Sequence, residues 1–431
     1  MPRDRVPALT TRRRPPLPAK SPAIRVVDLF AGCGGLSLGV RQAAVAARLR
    51  LEVPLAIDFE PAAVAVYRTN FPDARVLEGP VEDSFDGALG APLSVGEAAL
   101  RQQVGQIHLL MGGPPCQGHS NLNNKTRRRD PKNALYARMG RAAEVLDPRF
   151  VLIENVPSVR YDTDKVVQVT VEHLESIGYR VASTTIALHG LGVAQTRQRH
   201  VVLASKAPAV DPGEVLDELS GRAPSTTHDL RWAIGDLAEM DARVGYDIAP
   251  VPSEQNLDRM RYLIDHGLYD LPNERRPVCH QDTHSYKSMY GRLSWDAPAQ
   301  TITSGFGSIG QGRYMHPDQP RALTAHEAAR IQGFPDYFRF DAVSRRSDIA
   351  TMIGNAVPPA LTRELVAHLL RGVDIAASDD RGTTPDAADT GGLHHPAATA
   401  DDPGTAPAFG EQLIEVADIP ARPAGYALAH R

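Results

Sequence analysis

The stretch GGPPCQGHS, residues 112–120, places a thiol, Cys116, directly after two prolines. The thiolate is the nucleophilic form of cysteine, so reaction near neutral pH requires a positive field around the sulfur. Inert buried cysteines more often lie inside apolar runs. The next residues, NLNNKTRRRDPKN, carry Lys125 and Arg127 in a polar loop. Beside a nucleophile this loop is interpreted as a lid that grips phosphates, with a solvated surface loop as the alternative.

Two further motifs place polar side chains next to apolar runs. Glu154, in IENV, ends the run RFVLIENVP, where an acid can donate a proton to a bound substrate. In QTRQR, residues 195–199, Gln195, Arg197 and Arg199 alternate. Because alternate residues of a strand share a face, we expect all three side chains in one cleft. A salt-bridged edge strand is the structural alternative.

A glycine cluster follows the first apolar run of the chain. In DLFAGCGGLSLG, residues 28–39, the turn lies between a predicted strand and a predicted helix. Ser37 stands where a dinucleotide-binding loop has its third glycine, which favours a ligand without a pyrophosphate. Asp58 ends the next predicted strand and is placed to bind a ribose diol, and Phe59 can stack on an adenine ring. Capping and core packing are the alternatives for these two residues.

The elements that carry these residues alternate between apolar strands and helices. Four runs, IRVVDL, EVPLAIDFE, QIHLLMGGPP and RFVLIENVP, each stop at polar or special residues. This pattern predicts an α/β fold with a doubly wound parallel sheet, whose strands meet a ligand at their carboxyl ends. Asp28, Asp58, Cys116 and Glu154 are therefore expected at one edge. The alternation fails between residues 206 and 320, which predicts a smaller inserted domain, and a capping box at Thr324 then starts a new helix.

Composition narrows the class of protein. The chain has 431 residues, 42% of them apolar, and three cysteines that lack the spacing of a disulfide framework or a metal site, so we expect a soluble cytoplasmic protein. The net charge is -4, yet residues 374–431 contain ten acidic and three basic residues. We expect this acidic tail to be mostly disordered, and the basic residues 1–22 to be disordered as well.

The ordered series DLFAGCGG, PPCQG, ENV, QTRQR, RALTAHEAARIQGFP and IGNAVPP resembles the cytosine-5 DNA methyltransferase family. The resemblance implies a Rossmann-like catalytic domain that binds S-adenosylmethionine, built from residues 23–205 and 321–373, and a target-recognition domain at residues 206–320. It also implies a last helix that returns beside the first motif. The cofactor residues implied are Phe30, Gly32, Gly34, Asp58, Phe59 and Asn355.

The same resemblance assigns the chemistry. Cys116 would add to carbon 6 of a cytosine flipped out of duplex DNA, and Glu154 would protonate ring nitrogen 3. Arg199, with Arg197 behind it, would stabilise the adduct at the exocyclic oxygen, and no metal is required. Candidate DNA contacts are Ser120, Lys125, Arg127, Gln195, Arg292, Thr301 and Arg313. Of these, Arg292 and Arg313 are proposed to read guanine, the commonest specific base contact of arginine.

Two positions depart from the family pattern. Gly79, Pro80 and Val81 replace the usual Gly-Asp-Ile, which puts one adenine contact in doubt, and His119 replaces a phenylalanine. Methylation of a tRNA cytosine by the same chemistry and a catalytically silent DNA-binding regulator are the alternative functions. A restriction endonuclease acting on the same sequence is a candidate partner, and a monomer is expected.

Overall fold

One mixed sheet organises the protein. The computed structural model describes residues 9–115, 134–162, 165–224, 228–238, 245–281 and 288–372. Within these ranges seven strands form a single sheet: β1 (Ala23–Leu29), β2 (Arg50–Asp58), β3 (Val76–Glu78), β4 (Leu109–Gly112), β5 (Phe150–Asn155), β6 (Arg180–Ala187) and β7 (Gln198–Ser205).

The strand order is β3-β2-β1-β4-β5-β7-β6. Strands β1 to β5 pair in parallel, whereas β7 lies antiparallel between β5 and β6. The order reverses between β1 and β4, and ligands of such sheets bind at the carboxyl ends of the strands beside that reversal. The predicted α/β class with a Rossmann-like sheet is confirmed, and the antiparallel pair adds a feature that the parallel pattern did not contain.

Helices cover both faces of the sheet. Successive residues of the strands alternate between two apolar clusters, one shared with the helices α1, α6 and α11 and the other with α3, α4 and α5. The helices are α1 (Gly35–Ala47), α2 (Pro61–Asn70), α3 (Val95–Val104), α4 (Ala134–Leu146), α5 (Val166–Ser176), α6 (Pro212–Ser220), α7 (Leu230–Ile234), α8 (Glu254–Asp265), α9 (Ala325–Ile331), α10 (Arg346–Asn355) and α11 (Ala360–Leu369).

The region expected to form the inserted domain packs in three places. Helix α6 lies against the strands β6 and β7 and against α11, so it packs with the sheet and one of its covering helices. Residues of α7 join a cluster with α2 and α9. Helix α8 packs with Met289, Ile309 and Met315 in a small cluster of its own. The boundaries at residues 206 and 320 stay a prediction, and the separate cluster around α8 is the part that most resembles an independent core.

The N-terminal segment differs from the disorder expected for residues 1–22. Residues 9–22 are described and lie against the rest of the chain, with the backbone carbonyls of Leu9 and Thr11 accepting hydrogen bonds from Asp336 and Tyr337. The Arg14 guanidinium donates to the Asn70 side chain at 2.9 Å. An extended, proline-rich segment leaves its carbonyls free to accept such bonds, which is why this basic stretch packs. Residues 1–8 and the acidic tail lie outside the described ranges.

The end of the described chain returns to its beginning. Helix α11 packs against α1, as the resemblance implies, and the Thr362 hydroxyl donates to the Leu36 carbonyl at 2.7 Å. A Cβ atom on Gly39 would lie 2.1 Å from the Pro359 carbonyl oxygen, so only glycine permits this approach. Helix α9 begins with the predicted capping box of Thr324 and Glu327. No described helix is both long and apolar enough to cross a bilayer.

Candidate active site

The glycine loop after β1 is fastened to the end of β2. The Asp58 carboxylate accepts from the backbone N–H of Gly32 at 2.7 Å and from that of Glu60 at 2.9 Å. Phe30, Gly32 and Gly34 all have positive φ. A Cβ atom on Gly32 would meet nothing within 4 Å, whereas one on Gly34 would lie 2.7 Å from the Phe71 ring. Gly32 therefore faces open space, and Gly34 is required for packing against α2.

Exposed side chains follow β2 and end α10. Phe59 is 61% exposed, an unusual state for a phenylalanine that follows a buried strand. Burial raises the pKa of Asp58, although hydrogen bonds from the backbone of Glu60, Gly32 and Phe59 oppose the shift. Asn355, the last residue of α10, is exposed, and the segment after it packs so closely on Gly35 that a Cβ there would lie 2.6 Å from the Val357 carbonyl. These residues could hold an adenosine-like ligand.

Asp28 does not face this space, although it was expected at the edge. It is fully buried, and its carboxylate accepts from the Ser37 hydroxyl at 2.7 Å. That hydroxyl lies 2.6 Å from the Tyr67 hydroxyl. Burial, together with the nearby charge of Asp58, raises the pKa of Asp28 to about 8. The presence of serine at position 37, where the dinucleotide fingerprint has glycine, thus has a structural explanation, because its hydroxyl donates to the buried carboxylate of Asp28.

A second group of residues lies where β4 and β5 end. The Asn155 side chain donates to the Pro114 carbonyl at 3.2 Å, and a Cβ on Gly113 would lie 3.0 Å from the Glu154 carboxylate. The segment that leads into Cys116 is therefore fixed beside Glu154. Asn155 was not predicted, and its place directly after Glu154 at a strand end was the available signal.

Arg199 completes this group. Its Nε lies 2.5 Å from Glu154 Oε1, and both side chains are nearly buried. The pair forms because β7 runs antiparallel to β5, which sets Glu154 opposite Val201, two residues from Arg199. The ion pair brings together two residues to which the sequence analysis gave separate roles on the base.

Gln195 and Arg197 do not share that cleft. Of the three predicted residues only Arg199 belongs to β7. The side chains of Gln195 and Arg197 are at most 2% exposed. Gln195 binds the Gln332 side chain at 2.7 Å, and Arg197 donates to the carbonyl of Ile302 at 2.9 Å. Burial lowers the pKa of Arg197 well below its usual range. The expectation of one cleft was wrong because the strand geometry on which it rested begins only at Gln198.

The candidate base-reading arginines have partners within the protein. Arg292 donates to the Pro317 and Leu263 carbonyls and lies over the Tyr269 ring. Arg313 donates to the Tyr269 carbonyl at 2.8 Å and pairs with Asp270. Thr301 is partly buried, and its carbonyl accepts from the Tyr314 hydroxyl at 3.1 Å. DNA contacts by Arg292, Arg313 and Thr301 stay predictions.

Cys116, the predicted nucleophile, lies outside the described residues, together with His119, Ser120, Lys125 and Arg127. Among the described cysteines, Cys33 is buried, and burial raises the pKa of its thiol to about 12, so it is no nucleophile at neutral pH. Cys279 is exposed and is distant in sequence from the strand ends. Within the described ranges no group of three or more His, Cys, Asp or Glu side chains could hold a metal ion.

Comparison with known proteins gives consistent matches. A family model described as C-5 cytosine-specific DNA methylase matches residues 24–371. The chain is 43% identical over 367 residues to the Type II methyltransferase M1.BsuMI of Bacillus subtilis, covering 84% of each protein. It is 30% identical over 360 residues to the Type II methylase M.HgiDII of Herpetosiphon aurantiacus, covering 80% of this chain and 95% of that protein.

Solved structures share the fold. A putative DNA modification methyltransferase encoded within an E. coli prophage aligns with a TM-score of 0.54 at 23% identity, covering 81% of this chain and 99% of that one. The S. pombe Dnmt2 methyltransferase aligns with a TM-score of 0.52 at 17% identity, covering 81% and 98%. At these identities the likeness concerns the architecture of the sheet and its helices.

Proposed function

Because the chain belongs to the family of C-5 cytosine-specific DNA methylases, we propose that it transfers a methyl group from S-adenosylmethionine to carbon 5 of a cytosine in a specific duplex sequence. The single observation that carries this proposal within the site is the pairing of Glu154 with Arg199 beside the segment that leads to Cys116. An acid, a cation and a following thiol are the groups that addition to a pyrimidine ring requires.

The residues around the glycine loop fit S-adenosylmethionine. Asp58 would accept hydrogen bonds from a ribose diol, the exposed Phe59 would offer a face to adenine, and Gly32 would leave space for close approach. Gly79, in the segment that departs from the family pattern, also faces open space, and Val81 is buried. When bound, S-adenosylmethionine supplies an electrophilic methyl group. Asn355 would contribute to the same pocket.

The chain's own residues activate the base. The Cys116 thiolate would add to carbon 6, and a proton given to ring nitrogen 3 by Glu154 would neutralise the charge that develops, leaving carbon 5 nucleophilic. Arg199 would donate to the exocyclic oxygen from its place beside Glu154. Carbon 5 would then take the methyl group, its proton would pass to a base such as water as the thiolate leaves carbon 6, and ring nitrogen 3 would return its proton to Glu154. Arg197 would act from behind Arg199 rather than on the base.

The target base must leave the duplex before the thiol can reach carbon 6, and flipping costs a few kcal/mol. Ser120, Lys125 and Arg127 are proposed to recover part of this cost through phosphate contacts. We propose that Arg292, Arg313 and Thr301 contact DNA. To do so, these residues would have to give up their present hydrogen bonds within the protein. For Gln195, complete burial favours a supporting role over direct contact.

A trapping experiment tests this function. Purified protein is incubated with duplexes that carry 5-fluorocytosine at the site methylated in an expression host, together with S-adenosylmethionine. Because fluorine cannot leave as a proton does, the proposal predicts a covalent protein–DNA complex that survives denaturant. Cys116→Ser protein should form no such complex. Wild-type protein should also form none when tRNA that carries 5-fluorocytosine replaces the duplex. Absence of the complex from wild-type protein at the mapped site would overturn the mechanism.

The similarity to Type II methyltransferases supports two further proposals. The chain would protect the sequence that a companion restriction endonuclease cleaves, and it would act as a monomer in the bacterial cytoplasm, where its DNA substrate lies. Resistance of host DNA to cleavage in cells that express the chain tests the first, and sedimentation of the protein alone and on duplex DNA tests the second.

A further inference from the structure

Three buried side chains form a network at the centre of the molecule. Gln195, Arg197 and Gln332 are each at most 2% exposed, and they join segments that are far apart in sequence. On one side lies the segment 301–303, which includes the proposed phosphate contact Thr301. On the other lies the segment 353–356, which includes the proposed cofactor residue Asn355. Neither Gln195 nor Gln332 is needed for the chemistry described above.

The network holds the segment 301–303 through the backbone N–H and the backbone carbonyl of Ile302. The Ile302 N–H donates to the Gln195 side-chain oxygen at 3.1 Å, and the Ile302 carbonyl accepts from Arg197 at 2.9 Å. Two side chains that lie two residues apart therefore grip a single peptide backbone. A shift of residues 301–303 would break both bonds at once and leave buried polar groups unpaired.

The same side chains hold the segment 353–356. Arg197 also donates to the Gly354 carbonyl at 3.3 Å, and Gln332 donates to the Ile353 carbonyl at 2.5 Å. Gln195 and Gln332 bind each other at 2.7 Å, so the two grips are linked. Gly354 also lies directly against the segment 301–303, since a Cβ there would be 2.3 Å from the Thr303 carbonyl carbon.

From this geometry we propose that Gln195, Arg197 and Gln332 are positioning residues that couple occupancy of the cofactor pocket to the grip on DNA at residues 301–303. The inference rests on the proposed function. A ligand that orders residues 353–356 orders residues 301–303 through the shared bonds, so each ligand strengthens the binding of the other by the same factor. Arg197 thereby acts through other residues, two positions from Arg199, which contacts the base.

The test measures the affinity of the full chain for a fluorescent duplex carrying its methylation site, with and without saturating S-adenosylhomocysteine. Wild-type protein is expected to bind the duplex about tenfold more tightly with S-adenosylhomocysteine present. Arg197→Met removes the shared donor, and Gly354→Ala separates the two backbones. In both variants the ratio of the two affinities should fall well below the wild-type value, because part of the linkage between the two segments is lost while both pockets remain.

Arg25→Met is the matched control. Arg25 likewise donates to backbone carbonyls of other segments, those of Gln106 and Val104, but it lies early in β1, outside the network. This variant is expected to lose thermal stability yet keep the wild-type ratio, which separates coupling from general destabilisation.

The possible outcomes are distinct. A wild-type ratio in folded Arg197→Met or Gly354→Ala protein would overturn the coupling. If neither variant folds, Arg197→Lys, which keeps one donor group, is measured in their place. A ratio between one and the wild-type value would support the coupling, and the wild-type ratio would overturn it. Wild-type protein that binds both ligands with a ratio of one also refutes the coupling, whereas failure to bind S-adenosylhomocysteine at all would contradict the proposed function itself.

Discussion

The glycine loop and the arginine segment are two polar regions at the same edge of the sheet, and they are built in opposite ways. The loop is held by neighbours, with Asp58 binding the Gly32 backbone and one face left open. The arginine segment 195–199 is held by residues more than a hundred positions away, and two of its three predicted functional side chains are enclosed.

The difference teaches that similar polar motifs can bind a ligand or bind the protein itself. Open backbone beside an exposed aromatic ring indicates a ligand pocket, whereas buried guanidinium groups on backbone carbonyls indicate assembly of the site. We therefore expect changes near the loop to alter cofactor affinity and changes near Arg199 to alter turnover. The following predictions test that division, beginning with the largest expected effect.

Replacing the acid should affect turnover most. Glu154→Gln removes the proposed proton donor while keeping the shape of the side chain, so kcat should fall by about 10²- to 10⁴-fold. Affinity for S-adenosylmethionine, measured by calorimetry, should stay near the wild-type value. Glu175→Gln, on an exposed side chain of α5, is the control and should leave both quantities unchanged. Full turnover in Glu154→Gln protein would remove the acid from the mechanism.

Arg199→Met should lower kcat by about 10²- to 10³-fold, because it deletes the proposed donor to the exocyclic oxygen. The variant also leaves Glu154 without its partner, so Arg199→Lys is measured beside it. Lysine keeps the charge but not the planar donor geometry and should recover part of the rate. Equal rates for wild type and Arg199→Met in single-turnover assays would show that the ion pair is only structural.

Changes at the loop should act on binding. Asp58→Asn replaces a charged acceptor by a neutral one and should weaken S-adenosylmethionine binding by about 10- to 100-fold, as for hydrogen bonds to charged groups. At saturating cofactor the rate should approach that of wild type. Asp73→Asn, an exposed residue after α2, is the matched control. A fall in kcat without a change in cofactor affinity would contradict the division between the regions.

Phe59→Ala should have a smaller effect of the same kind. Its ring is mostly exposed, so thermal stability should not change, but loss of stacking should weaken cofactor binding by about 2- to 10-fold. Phe59→Tyr keeps the aromatic face and should bind normally. If Phe59→Ala binds S-adenosylmethionine as tightly as wild type, the ring does not contact the adenine.

The last prediction concerns the dependence of stability on pH and leaves ligand binding aside. The pKa of Asp28 is raised to about 8 in the folded protein, above the ordinary value that it has when unfolded. The folded state therefore holds this proton where the unfolded state has lost it, and stability declines as the pH rises from about 4 towards 8. Asp28→Asn stays neutral throughout. Its melting temperature relative to wild type should increase between pH 5 and pH 8, and a constant difference would refute the buried neutral acid.

Local sequence patterns could predict the strands, the glycine loop and the place of Glu154, because a strand and the turn after it are set by neighbouring residues. They could not show that Asp28 turns inward, since its partner Ser37 is oriented by Tyr67 on another helix. Nor could they separate Arg197 from Arg199. Both are arginines in one short motif, and only the position where β7 begins decides which one reaches Glu154.

The closure of α11 on α1 has a consequence for synthesis of the protein. The first helix leaves the ribosome more than three hundred residues before the helix that covers it. Until then the glycine-lined surface of α1 lacks its partner, and apolar surface exposed in this way favours aggregation. The proposed cofactor pocket should thus be completed only after α11 has been translated, so premature termination before residue 360 should yield protein that chaperones retain and proteases remove.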